Sequence, residues 1–173
     1  MRTIYLLRHA KSSWKDEALD DFDRPLAKRG RRAATALGAY LATHRIVPAQ
    51  VLCSPAKRTR ETLERIQDAL GAPLPTRFER AIYMAEAPDL LRRLRRLSDT
   101  LASAMLVGHN PGLERLAAIL AAAGDEMLRR RMAEKFPTAA LAVICADIDH
   151  WADLQAGCGR IETFVTARDL EAE

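Results

Sequence analysis

Three short apolar runs, each ending in polar residues, constrain this chain more than any other feature: Thr3–Leu7, Gln50–Cys53 and Ala104–Val107. Runs this short read as buried strands, whereas apolar residues recurring at i, i+3, i+4 and i+7 read as amphipathic helices. Such stripes follow each run: Ala33, Ala34, Leu37, Tyr40 and Leu41; Leu63, Ile66 and Leu70; Leu113, Leu116, Ala117 and Leu120. A further stripe is formed by Leu90, Leu91, Leu94, Leu97 and Leu101, with Arg92, Arg93, Arg95 and Arg96 on its other side. The alternation predicts an α/β fold: a mostly parallel central sheet with helices on both faces, a three-layer sandwich. With 173 residues there is room for a single domain over 1–173, and 40 Leu, Ile, Val and Phe residues suffice for its core.

The second and third runs lead straight into helix-start signals. Ser54 is placed to cap a helix opened by Pro55, and Asn110 with Pro111 repeats the arrangement. Gly71-Ala72-Pro73 ends the first of these helices. The connection from His9 to about Arg29 is far longer than the usual βα loop of about 2–6 residues, so it is expected to border a site. Ala139–Ala146 and Arg160–Thr166 predict two later strands, antiparallel additions at one edge, joined by a turn or short helix over Asp149–Gly159. The Arg129-Arg130-Arg131 run reads as the solvated face of a helix end.

Composition removes several functions. The formal charge of +4 and pI near 9.2 favour anionic partners. Aromatic residues make up only 5% and do not interleave with a basic stripe, which argues against nucleic acid. The longest apolar run, Leu116–Ala123, is far short of the roughly 18 residues of a membrane span, and no secretory segment is visible at the start. Cys53, Cys145 and Cys158 are odd in number and far apart, so neither a disulfide framework nor a thiolate metal site is expected, and a cytoplasmic setting is. His9, His44, His109 and His150 show no metal-binding spacing, so no metal or cofactor is expected, and His44 and His150 read as surface residues.

Each of the three strands delivers polar residues at its carboxyl end: Arg8-His9, then Ser54 through Arg58, then His109. Ligands of open α/β sheets bind at that end, and the helix amino termini there attract anions. Arg8 and Arg58 suit the bidentate geometry of phosphate. Two imidazoles in the same place point to covalent catalysis. His9, fixed at the end of a stiff strand, is the better nucleophile, because a carbonyl bonded to one ring nitrogen would leave the other free to attack. His109 would stabilise the transferring group, and Ser54 and Lys11 are candidates for further phosphate contacts.

These residues resemble the histidine phosphatase superfamily, whose signature is an Arg-His pair after the first strand. Leu7 to Trp14, Phe22 to Leu26 with Arg29-Gly30, Ser54 to Thr59 with Glu61-Thr62, and Gly108 to Gly112 are similar to its compact SixA-type phosphohistidine phosphatase branch. Gly159-Arg160 and Ala167 to Leu170 extend the resemblance along nearly the whole chain. It implies a phosphoglycerate mutase-like fold and a phosphohistidine intermediate on His9. Arg8, Arg58 and His109 would form the phosphate pocket, and water would complete hydrolysis without a metal. Ala10 stands where the wider superfamily carries glycine, in agreement with the SixA-type pattern.

The leaving group bears on the substrate. An alkoxide needs a proton donor, whereas imidazole, with a conjugate acid near 6.5, leaves with little help. Larger members that act on phosphate esters carry a glutamate donor, and the corresponding Arg80 to Ala87 segment here has no clear equivalent, leaving Glu79 and Glu86 as candidates. With little sequence for a cap domain, the expected substrate is a phosphohistidine protein. The alternatives are a small-molecule phosphomonoesterase or phosphoglycerate-mutase-like enzyme, and a non-catalytic phosphoprotein-binding module. Cys53 resembles a cysteine-phosphatase nucleophile, but only four residues separate it from Arg58 and it belongs to an apolar run, so it reads as a buried thiol.

Overall fold

The computed structural model describes residues 1–172. Seven strands form one sheet: β1 (Arg2–Arg8), β2 (Val51–Cys53), β3 (Thr76–Phe78), β4 (Ser103–Gly108), β5 (Ala121–Gly124), β6 (Leu141–Ala146) and β7 (Gly159–Val165). Six helices accompany them: α1 (Lys28–Thr43), α2 (Lys57–Leu70), α3 (Ala87–Leu94), α4 (Gly112–Leu120), α5 (Glu126–Glu134) and α6 (Ala167–Glu171). The strand order is β3-β2-β4-β1-β6-β7-β5. The pairs β2–β3, β2–β4, β1–β4 and β5–β7 are parallel, whereas β6 is antiparallel to both β1 and β7.

The two-residue period of the strands divides the core. Ile4, Leu6, Leu52, Ala104 and Leu106 face one layer with Leu90, Leu94, Leu113 and Leu116 of α3 and α4. Their neighbours Leu7, Val51, Cys53, Met105 and Val107 face the other, with Leu37 and Leu41 of α1 and Leu63 and Ile66 of α2. Central strands are thus apolar on both faces, which is why they read as unbroken runs. This is the three-layer α/β sandwich of the phosphoglycerate mutase-like fold.

Several boundaries differ from expectation. Neither Ser54 nor Asn110 caps a helix: α2 begins at Lys57 with Ala56 before it, and α4 begins at Gly112 after Pro111. Both side chains are used elsewhere, Ser54 on His109 and Asn110 on the Glu114 carboxylate and the Phe136 carbonyl. The stripe from Leu90 to Leu101 also overreaches, because α3 stops at Leu94 and Leu97 packs on the core from a turn. Strand β6 lies inside the sheet, and the edge beyond β7 is taken by β5, four small residues whose half-exposed pattern carries no strand signal. The opposite edge, β3, is only three residues long and mostly exposed. Gly71 ends α2 in the left-handed region at φ 76°, as the Gly-Ala-Pro signal predicts.

Candidate active site

The carboxyl ends of β1, β2 and β4 lie side by side, so Arg8-His9, Ser54 and His109 meet although they come from distant segments. The His9 and His109 ring centroids are 5.4 Å apart. Backbone bonds hold this end firmly. The His9 N–H donates to the Gly108 carbonyl at 3.1 Å, and the Ala139 N–H donates to the His9 carbonyl at 3.0 Å. Ala10 donates its N–H to Thr62 Oγ1 at 3.0 Å, and Thr62 donates in turn to the Arg58 carbonyl at 2.6 Å. One threonine on α2 therefore couples the backbone after His9 to the turn that carries Arg58.

The hydrogen bonds fix both tautomers. His9 Nδ1 lies 2.7 Å from the Ala10 carbonyl, which can only accept, so Nδ1 carries the proton and Nε2 keeps its lone pair. His109 Nδ1 lies 3.2 Å from Arg58 Nη2, which can only donate, so Nδ1 accepts and Nε2–H donates to Ser54 Oγ at 2.7 Å. Burial, followed by the charge of Arg58, pushes His109 down to about 3. His9 falls to about 4, chiefly through burial, against the raising effect of its bond to Ala10 and with the Arg58 and Arg8 charges lowering it further. Both rings are neutral near pH 7.

Arg58 is 2% exposed and Arg8 is half-buried. Arg8 donates Nη1 to the Phe136 carbonyl at 3.0 Å, and burial lowers its pKa. Arg58 is engaged by a residue that the sequence reading passed over. Its Nη1 donates to the Asp21 carbonyl at 2.6 Å and its Nη2 to the Asp21 carboxylate at 2.9 Å. Arg24 donates to the other carboxylate oxygen at 3.1 and 3.3 Å, and Tyr83 donates its hydroxyl to Asp21 at 2.6 Å. Burial would raise the Asp21 carboxyl, but the Tyr83 bond and the Arg58 charge outweigh it and hold the group down at about 2.

Asp21 opens a short 3-10 helix, Asp21–Asp23, within the long loop that was expected to border the site. Arg24 anchors that loop through Ser12 Oγ at 2.8 Å and stacks over Trp14 at 3.4 Å, while Glu61 on α2 accepts the Leu26 N–H at 2.9 Å. Tyr83 meets the His109 ring edge-on at 5.3 Å. The signal available in the sequence was the Asp-Phe-Asp-Arg-Pro-Leu motif itself. Nothing local to it says which carboxylate turns inward.

The remaining candidates are placed as follows. Ser54 is fully buried, and its Oγ accepts from the His109 ring at 2.7 Å and from the Ala56 N–H at 3.3 Å. Lys11 is exposed and lines a separate cavity with Arg29 and Lys135. Glu79 receives two bonds from Arg93, both 2.7 Å, which ties it to α3. Glu86 is exposed at the start of α3, its carbonyl accepting from Asp89 and Leu90. Cys53 is buried, and burial pushes its thiol up to about 12, far from a reactive thiolate. His44 and His150 are exposed. Among the described residues no three His, Cys, Asp or Glu side chains are grouped to hold a metal ion, and no helix is long and apolar enough to cross a membrane.

The family description "Histidine phosphatase superfamily (branch 1)" matches residues 4–82. The uncharacterized protein Rv1276c of Mycobacterium tuberculosis is 36% identical over 164 residues, covering 94% of this chain and 100% of its own. A candidate phosphohistidine phosphatase SixA from Agrobacterium tumefaciens is 30% identical, with a TM-score of 0.79 over 95% of this chain and 97% of that one. The chain belongs to the histidine phosphatase superfamily. Within the superfamily its structural likeness is to the compact SixA proteins. The protein histidine phosphatase SixA solved with tungstate has the same fold, with a TM-score of 0.78 at 21% identity over 97% of this chain and 99% of its own.

Proposed function

We propose that this histidine phosphatase hydrolyses phosphohistidine on a protein, through a phosphohistidine intermediate on His9 and without a metal. The observation that carries the reading is the tautomer of His9. Its proton is held on Nδ1 by the Ala10 carbonyl, so a neutral Nε2 stands beside Arg8, Arg58 and His109. His9 Nε2 attacks phosphorus, the bond from phosphorus to the substrate imidazole breaks, and the departing nitrogen takes a proton from solvent. Water then attacks the phosphoryl group on His9, releasing inorganic phosphate and restoring the neutral ring. Arg8 and Arg58 hold the equatorial oxygens, whose charge they match throughout.

Two further features support this reading. Asp21 already places an oxyanion on Arg58, so the guanidinium is oriented for an anion before a substrate arrives. A phosphoryl dianion beside His109 offsets the burial and the Arg58 charge that hold its pKa down. Nδ1 then takes up a proton and turns from acceptor to donor. The choice of phosphohistidine over an ester rests on the leaving group. Glu79 is bound by Arg93, and Tyr83, edge-on to His109, has its pKa raised by burial and by Asp21, leaving it a poor acid. Imidazole does not require one.

The test compares kcat/KM for a protein phosphorylated on histidine with that for small phosphomonoesters, in the presence of chelator. The reading expects the phosphoprotein to win and chelator to be without effect. Trapping of an acid-labile phosphoryl group on wild-type protein but not on His9→Ala completes it, and chelator-sensitive turnover or full activity of His9→Ala overturns it.

A further inference from the structure

A second cationic region lies at the same end of the sheet. A cavity of about 640 Å3 is walled by Lys11 after β1, by the first turns of α1, by the end of α5 with the segment beyond it, and by α6. It adjoins the His9 cluster through one stretch of backbone. The Phe136 carbonyl accepts from Arg8 on one side, while Lys135, Pro137 and Thr138 line the cavity on the other. The floor includes Phe164, buried at the end of β7 and stacked near Phe136.

Five basic residues line this cavity against two acidic ones, Glu134 and Glu171. Arg131 is spoken for, since Asp169 accepts two bonds from it at 2.7 and 3.0 Å. Lys11, Arg29, Lys135 and Arg168 are exposed, and their side chains make no hydrogen bond or ion pair with any described residue. They stand on four separate segments around the wall. A single compact anion would need fewer donors closer together, whereas such a spread suits several carboxylates along an extended chain, which advances roughly 3.3 Å per residue.

We propose that this cavity binds an acidic segment of the phosphorylated protein substrate, next to the residue that carries the phosphoryl group. The inference rests on the proposed protein substrate, but its test does not. Opposite charges across the surface raise the rate of encounter and set orientation, and exposed pairs are screened by salt. A fluorescent glutamate-rich octapeptide without phosphate is titrated by anisotropy against wild type, His9→Ala and the double variant Lys135→Glu with Arg168→Glu. Wild type and His9→Ala are expected to bind it equally, more weakly as salt rises. The double variant is expected to bind at least about tenfold more weakly, a loss of about 1.4 kcal/mol, while hydrolysing p-nitrophenyl phosphate at the wild-type rate. Absence of binding to wild type, or equal binding by the double variant, overturns the proposal. So does uptake of inorganic phosphate, but not peptide, by a site that the double variant loses. The probe carries no phosphohistidine, so failure of the His9 chemistry leaves this result standing, and the reverse holds too.

Discussion

At the carboxyl end of the sheet, Arg58 and Arg24 are buried and share one carboxylate, while Lys135 and Arg168 around the neighbouring cavity are exposed and share none. Burial accounts for the difference. A guanidinium taken out of water must be paired or it destabilises the fold, whereas an exposed ammonium keeps its hydration. The proposed phosphoryl pocket therefore carries its own counterion, and on that proposal a substrate exchanges with Asp21 to reach Arg58. Cations that have no partner to surrender are better suited to first contact. On the two proposals the same electrostatic sign serves two roles, separated by solvent access.

The sharpest way to break the comparison is to remove its reacting atom. His9→Ala is expected to lower kcat by about a thousandfold or more, with the circular dichroism spectrum unchanged. Arg58→Ala comes next: loss of a preorganised donor lowers kcat/KM by about 10²–10³-fold, and it frees the Asp21 carboxyl to titrate nearer its ordinary value, which NMR would follow.

Asp21→Asn sharpens the contrast, because it turns Arg58 into an unpaired cation like those of the cavity. Inorganic phosphate should then inhibit about tenfold more tightly, a gain of about 1.4 kcal/mol. The half-exposed position of Asp21 limits the stability loss to about 1 kcal/mol. Unchanged inhibition would mean that the carboxylate and phosphate do not compete.

A smaller effect concerns pH. His9 and His109 have folded values of about 4 and about 3, below the ordinary 6.5. As pH falls below 6.5 the unfolded chain gains protons that the folded protein refuses, so stability declines, levelling off only below the folded values. Denaturation midpoints measured from pH 7 to pH 4 should fall, and less steeply in His109→Gln. Phosphate binding near neutral pH should be accompanied by proton uptake in wild type, and not in that variant.

Much of this arrangement was legible before folding. The apolar runs gave the three adjoining strands β1, β2 and β4, and the polar residues that follow them gave His9, Arg58 and His109, because strand termini are fixed by the same buried segments that create the signal. Ser54 was legible as a site residue but not as the partner of His109. Its hydroxyl could equally have capped α2, and only the proximity of β4 to β2 decides the matter. Lys11 sits two residues from His9 in sequence, yet lines the cavity rather than joining the cluster.

The sequence by itself determined which faces are apolar, where strands stop, and that imidazoles and guanidiniums follow those stops. These are properties of short segments, set by period and by turn chemistry. Only the tertiary structure decided that Asp21 turns onto Arg58, that Thr62 ties His9 to α2, and that four unpaired cations ring a cavity behind Phe136. Charge pairing and hydrogen-bond direction depend on distances between residues far apart in the chain, and no local pattern encodes those distances.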